Sequence, residues 1–141
     1  MKKLFSIFVM LLICLLCACG TQGNKLFDLS DDVYAPEGFT FKTDKAHYDS
    51  DVKEITLCIT NTGDGEMAIG ESFELHYKAD GAWKEVGFKR DTAFNELAWI
   101  IPPAESHEAT VKLDEYYNLP LKTGEYRIVK DGYASNTFEV R

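Results

Sequence analysis

The sequence predicts an all-β fold, a sandwich of about seven short antiparallel strands behind a cleaved leader and a short linker. Three observations predict it. After Gly38, apolar residues recur at every second position rather than every 3.6. Turn signals such as Asp80-Gly81, Asp131-Gly132 and Asn61-Thr62-Gly63 separate these runs at short intervals. No stretch beyond the leader carries a convincing helical period.

Taken in order, Phe39 and Phe41 alternate with Thr40 and Lys42. Ile55, Leu57 and Ile59 share one face, with Glu54, Thr56, Cys58 and Thr60 on the other. Phe73, Leu75 and Tyr77 repeat the pattern against Glu74, His76 and Lys78, so parity points His76 to solvent. Asp80-Gly81 follows, and Ala82 to Val86 returns. A strand, Asp-Gly and a strand is a strong hairpin signal, because both central residues of a type I′ turn need positive φ. Leu97 to Ile101 reads as a strand buried on both faces, and Pro102-Pro103 stops it. Ala109, Val111 and Leu113 face one way. Asp114 to Pro120 is a corner carrying Tyr116 and Tyr117. Tyr126 and Ile128 then point inward, and Phe138 and Val140 close the last strand. That strand, Thr137 to Arg141, ends at the chain terminus and reads as an open sheet edge.

The leader begins with Lys2 and Lys3, runs apolar from Leu4 to Cys17 apart from Ser6, and ends Leu16-Cys17-Ala18-Cys19-Gly20. About 14 apolar positions fall short of the ~20 that span a bilayer as a helix, and the small residues at its end favour cleavage over an uncleaved anchor. Leu-x-Ala-Cys resembles the lipobox of bacterial lipoproteins. That resemblance implies loss of residues 1–18 and acylation of Cys19 as the mature N-terminus. It places the protein outside the cytoplasm, with inner membrane, outer membrane and Gram-positive surface all open. Removing 18 residues that hold two lysines and no acid leaves 123 residues and takes the formal charge from −8 to −10. Such a charge disfavours nucleic acid as a partner. Cys14 and Cys17 leave with the leader and Cys19 is the lipid site. Only Cys58 remains, so no internal disulfide can form.

Residues 19–38 are the lipidated terminus and a tether, and residues 39–141 the folded domain. As a free coil the tether would reach about 25 Å. Its Phe27, Leu29, Val33 and Tyr34 exceed what a spacer needs, and some of them are expected to dock on the domain.

From Tyr48 onward the chain resembles the bacterial immunoglobulin-like domains of small lipoproteins. The matching residues are Ile55 to Asn61, Gly70 before Phe73-Glu74-Leu75, Gly81-x-Trp83-x-x-Val86-x-Phe88, Pro102-Pro103 and Leu113. Most specific is Tyr116-Tyr117 followed by Leu121-x-x-Gly124-x-Tyr126-Arg127-Ile128. The resemblance implies an immunoglobulin-like sandwich and brings no catalytic residue with it. The fold hosts many unrelated functions.

The remaining motifs carry little reactive chemistry. There is no Gly-x-Ser-x-Gly elbow, and His47, His76 and His107 lie on separate segments. His107 reads as a packing residue at the rim. No His and Cys stand at zinc spacing. Asp44, Asp49 and Asp51, or Asn61, Asp64 and Glu66, are the best oxygen clusters, and neither matches a calcium loop. No metal or cofactor is expected. Trp99 reads as core and Trp83 as a residue covering the sandwich edge beside the hairpin, or as an interface anchor. Lys89-Arg90 is the one adjacent basic pair of the acidic mature chain, in the loop Gly87 to Glu96. The expectation is therefore a non-enzymatic, lipid-anchored module that meets an envelope protein or glycan, with Lys89, Arg90 and Trp83 as candidate contacts. The alternative is an inhibitor of an extracytoplasmic protease or hydrolase acting through Lys89-Arg90. A metal-dependent enzyme is the third reading.

Overall fold

The computed structural model describes residues 23–29 and 32–141; the leader, Cys19 and residues 20–22 lie outside the described residues. The elements are β1 (Leu26–Asp28), β2 (Phe39–Thr43), β3 (His47–Tyr48), β4 (Glu54–Asn61), β5 (Met67–Gly70), β6 (Glu74–Ala79) and β7 (Ala82–Val86). They continue with β8 (Ala98–Ile101), β9 (Ser106–Lys112), α1 (Leu113–Tyr116), β10 (Gly124–Lys130), β11 (Tyr133–Ala134) and β12 (Phe138–Val140). Seven of these strands follow the two-residue periods of the sequence, and β8 falls in the apolar run from Leu97 to Ile101. The other four, β1, β3, β5 and β11, were not expected from the sequence.

One sheet runs β1-β7-β6-β10-β12-β3, with β11 paired to β10; a second runs β2-β4-β9, and β5 pairs with β8. Named strands pair antiparallel except β12 with β3. The sandwich expected from the sequence is present. Ile55, Leu57 and Ile59 of β4 are buried in one cluster with Leu75, Tyr77, Tyr126, Ile128, Phe138 and Val140 of the large sheet. Each such side chain contributes roughly 1.5–3 kcal/mol on leaving water. Both Asp-Gly turns have positive φ at both residues: Asp80 at 53° and Gly81 at 80°, Asp131 at 49° and Gly132 at 81°. That is the type I′ geometry, which matches the twist of the strands it joins.

The tyrosine-rich corner fastens the two sheets. The Leu75 amide donates to the Tyr117 hydroxyl at 3.0 Å, and that hydroxyl lies 3.4 Å from the Phe73 carbonyl. Tyr126 donates to the Lys122 carbonyl at 2.7 Å, four residues upstream, as the tyrosine corner of immunoglobulin sandwiches does. Burial pushes both phenols up, out of reach of ionisation at neutral pH.

Three expectations are corrected. The last strand is not an edge, because β3 pairs in parallel along its far side, Glu139 opposite His47 and Val140 opposite Tyr48. Leu97 to Ile101 is not buried on both faces. Leu97 is 67% exposed and Ile100 58%, because the β5–β8 ribbon covers the core with one face only. His76 does face away from the core, yet it is 1% exposed. Leu29, Asp32 and Val33, from the segment read as tether, border one small hollow with it and with Val129, and the segment is fastened there by Tyr34, whose amide donates to the Gly132 carbonyl at 2.8 Å. Those contacts are non-local, so strand parity carries no trace of them.

Candidate functional site: the outer sheet face and the N-terminal end

Strand alternation puts Glu74, His76 and Lys78 of β6, Trp83 and Glu85 of β7, and Glu125 and Arg127 of β10 on the outer face of the large sheet. Registers place Arg127 beside His76, His76 beside Glu85 and Lys78 beside Trp83. The Arg127 guanidinium sits 4.5 Å from the centre of the Trp83 ring, and the Lys78 ammonium 5.6 Å from it. Lys78 also reaches both oxygens of Glu125 at 3.1 Å. No carboxylate lies within ion-pair distance of Arg127 among the described residues. Partial burial without that compensation lowers its pKa.

Arg127 also fixes the chemistry of His76. Its Nε and Nη2 lie 3.4 Å from His76 Nδ1. A guanidinium has no acceptor, so Nδ1 must accept and the neutral ring carries its proton on Nε2. Nε2 then donates to Glu74 at 3.2 Å, and this hydrogen bond holds the Glu74 carboxyl below its usual range against the opposing effect of burial.

The Lys89-Arg90 loop stands on an aromatic floor. Phe88 stacks on Tyr117 at 5.2 Å and meets Phe94 edge-on at 5.2 Å, while Phe94 lies 4.8 Å from Tyr116. The Lys89 amide donates to the Tyr116 carbonyl at 2.8 Å, its ammonium to the Asp114 carbonyl at 2.5 Å, and Thr92 donates to the Lys89 carbonyl at 2.8 Å. Lys89 is thereby folded onto α1, while Arg90 is exposed. Lys25, Phe27, Glu85, Lys89 and Arg90 line a hollow of about 800 Å³ beside this loop. Trp83 is not part of it. It lies toward the opposite end of β7, two residues from Glu85.

The other sequence candidates stay apart. His47 contacts Glu139 at 3.3 Å and Arg141 at 3.4 Å. His107 lies 4.6 Å from the Trp99 ring, with its Nε2 buried and unpartnered among the described residues. Trp99 is thus a half-buried cover at the core's margin. Asp44 accepts from the Tyr48 hydroxyl at 2.6 Å and the Thr56 amide at 3.3 Å. Asn61 bridges the Gly65 and Ile101 carbonyls at 2.7 and 2.9 Å. Among the described residues no group of three or more His, Cys, Asp or Glu is placed to hold a metal ion. Cys58 is exposed on β4. Sequence reading missed Arg127 and His76 as a pair. Their alternate positions on β10 and β6 were legible, but the register joining them was not.

No curated protein matches the chain. Among solved structures, it is similar to part of the Pseudomonas fluorescens alkylpurine DNA glycosylase bound to DNA containing an abasic site analogue. The identity is 11%, over 74% of this chain and 30% of that one, with a TM-score of 0.42. A β-glucosidase of Erythrobacter marinus gives 13%, 82%, 18% and 0.41, and one from Listeria innocua in complex with glucose 16%, 72%, 16% and 0.39. The chain spans less than a third of each of these proteins, and likeness at this level says nothing of activity. The pattern of bacterial Ig-like domains, by contrast, matches residues 35–140. With its strand order, its tyrosine corner and that match, the chain belongs to the bacterial immunoglobulin-like domain family.

Proposed function

We propose that this protein is a membrane-anchored, extracytoplasmic lipoprotein whose Ig-like domain binds a protein or glycan of the cell envelope without catalysing a reaction. The leader ending in Cys19 supports the address. The observation that carries the binding reading is Trp83, partly exposed on the outer sheet face with Arg127 and Lys78 over its ring. Cation–π contact orients the indole before any partner arrives, so less entropy is lost on binding. Tryptophan and arginine are also the residues that most often dominate interface energetics. The same face presents Glu125 and Lys78 as an already neutralised rim.

The test is cross-linking in live cells from a photoreactive residue beside Trp83, followed by identification of the adduct. A predominant adduct that disappears with Trp83→Ala and with Arg127→Ala supports the reading. No adduct, or one indifferent to both substitutions, overturns it. Cys19→Ser should release the protein from membranes, and retention would overturn the anchor.

A further inference from the structure

The chain is fastened to the sandwich much nearer the lipid site than a tether of 19 residues would allow. The Asn24 side chain donates to the Asn118 carbonyl at 2.8 Å and accepts from the Asn118 amide at 2.8 Å. One residue later, the Gly87 amide donates to the Lys25 carbonyl at 2.8 Å, and β1 begins. Covalent geometry then limits Cys19 to Asn24 to about 18 Å at full extension. Whatever the domain exposes around Asn24 is therefore held beside the surface in which an acylated Cys19 sits.

That end of the molecule has a distinct chemistry. The hollow beside Asn118 is lined by three bases, Lys25, Lys89 and Arg90, and one acid, Glu85. Phe27, 48% exposed, stands with them. The mature chain as a whole is strongly acidic and is repelled by an anionic bilayer in most orientations. A short leash, a local excess of bases and an exposed aromatic at one spot meet the requirements of headgroup contact. We infer, building on the lipoprotein reading above, that Lys25, Arg90 and Phe27 form a docking face for the anionic phospholipid surface that holds the protein's own anchor.

The test uses the acylated mature protein in phosphatidylcholine vesicles with and without phosphatidylglycerol. Trypsin cleavage after Lys25 and Arg90 should slow at least about fivefold when phosphatidylglycerol is present, as expected for a basic residue held at an anionic surface. Cleavage after Lys42, outside the docking face, should not change. Phe27→Trp in a Trp83→Phe/Trp99→Phe background should be quenched by brominated lipids, and Lys25→Glu/Arg90→Glu should relieve that quenching. Equal cleavage rates in both vesicles overturn the docking face, as does quenching that persists in the charge-reversed variant. Mass spectrometry of the same preparation separates the two ideas. An unacylated Cys19 sinks the anchor and the docking face together, whereas an acylated chain with unprotected Lys25 and Arg90 sinks the docking face alone.

Discussion

The first and last strands among the described residues have three residues each and opposite fates. β12 lies between β10 and β3, and its Phe138 and Val140 are each 1% exposed. β1 lies at the margin of the same sheet, and all three of its residues are exposed. Phe138 meets Tyr48 edge-on at 5.3 Å and stacks on Tyr126 at 5.9 Å. The Phe27 ring instead lies over Gly87, covering backbone without entering the core. Equal length thus goes with different energetic roles, because β12 is paired on both sides and β1 on one. The C-terminal strand holds the fold together, and the N-terminal strand attaches the fold to whatever precedes it.

The largest break in this contrast should come from Phe138→Ala, which should cost about 3–5 kcal/mol in chemical denaturation by leaving a cavity between two aromatic rings. A loss below about 1 kcal/mol would remove β12 from the core. Next comes Gly124→Ala. Gly124 pairs with Val140, has φ of 147°, and would place a Cβ 2.7 Å from the Tyr77 ring. A loss of about 1–3 kcal/mol should follow from overpacking and backbone strain. Gly87→Ala sharpens the comparison from the other side. Its Cβ would stand 2.4 Å from the exposed Phe27 ring, which must swing away. Global stability should then change by less than about 1 kcal/mol. Hydrogen exchange at Leu26–Asp28 should accelerate to the rate of unprotected amides, and a global loss matching that of Phe138→Ala would refute the division.

The smallest effects run in opposite pH directions. Burial, and a hydrogen bond donated to Asp44, push Tyr48 up to about 12 from an ordinary 10.0. Between those values the unfolded chain has lost a proton that the folded chain keeps. Stability therefore falls as pH rises through that window. Tyr48→Phe should flatten part of the slope in urea titrations, and Tyr117 and Tyr126, also raised by burial, should supply the remainder. At the other end of the chain, the Lys84 hydrogen bond and charge hold Asp28 below its ordinary 3.8. Its contribution is present above that value and is lost as pH falls through the lower, folded one. Exchange at β1 should quicken in acid, and Asp28→Asn should abolish that acid sensitivity.

β2, β4, β6, β7, β9, β10 and β12 and the two Asp-Gly turns were legible because a half-buried strand writes its burial into alternate residues and a type I′ turn demands particular ones. The site was legible only in pieces. Trp83 stood out as a large aromatic beside a turn, and Lys89-Arg90 as a basic pair, but nothing local said that they lie toward opposite ends of β7. Arg127 looked like any outward charge until the register with β6 set it against His76 and the hairpin brought Trp83 beneath it.

By itself the sequence determined the strand periods, the turns and an N-terminal apolar run ending in a pattern that resembles a lipobox, since each is a property of neighbours along the chain. Only the tertiary structure decided which strand is covered and which lies at the margin, why a solvent-facing histidine is buried, and how few residues separate the sandwich from Cys19. Those outcomes depend on contacts between residues tens of positions apart, such as Asn24 with Asn118 and Tyr48 with Val140, and such contacts leave no periodic mark in the sequence.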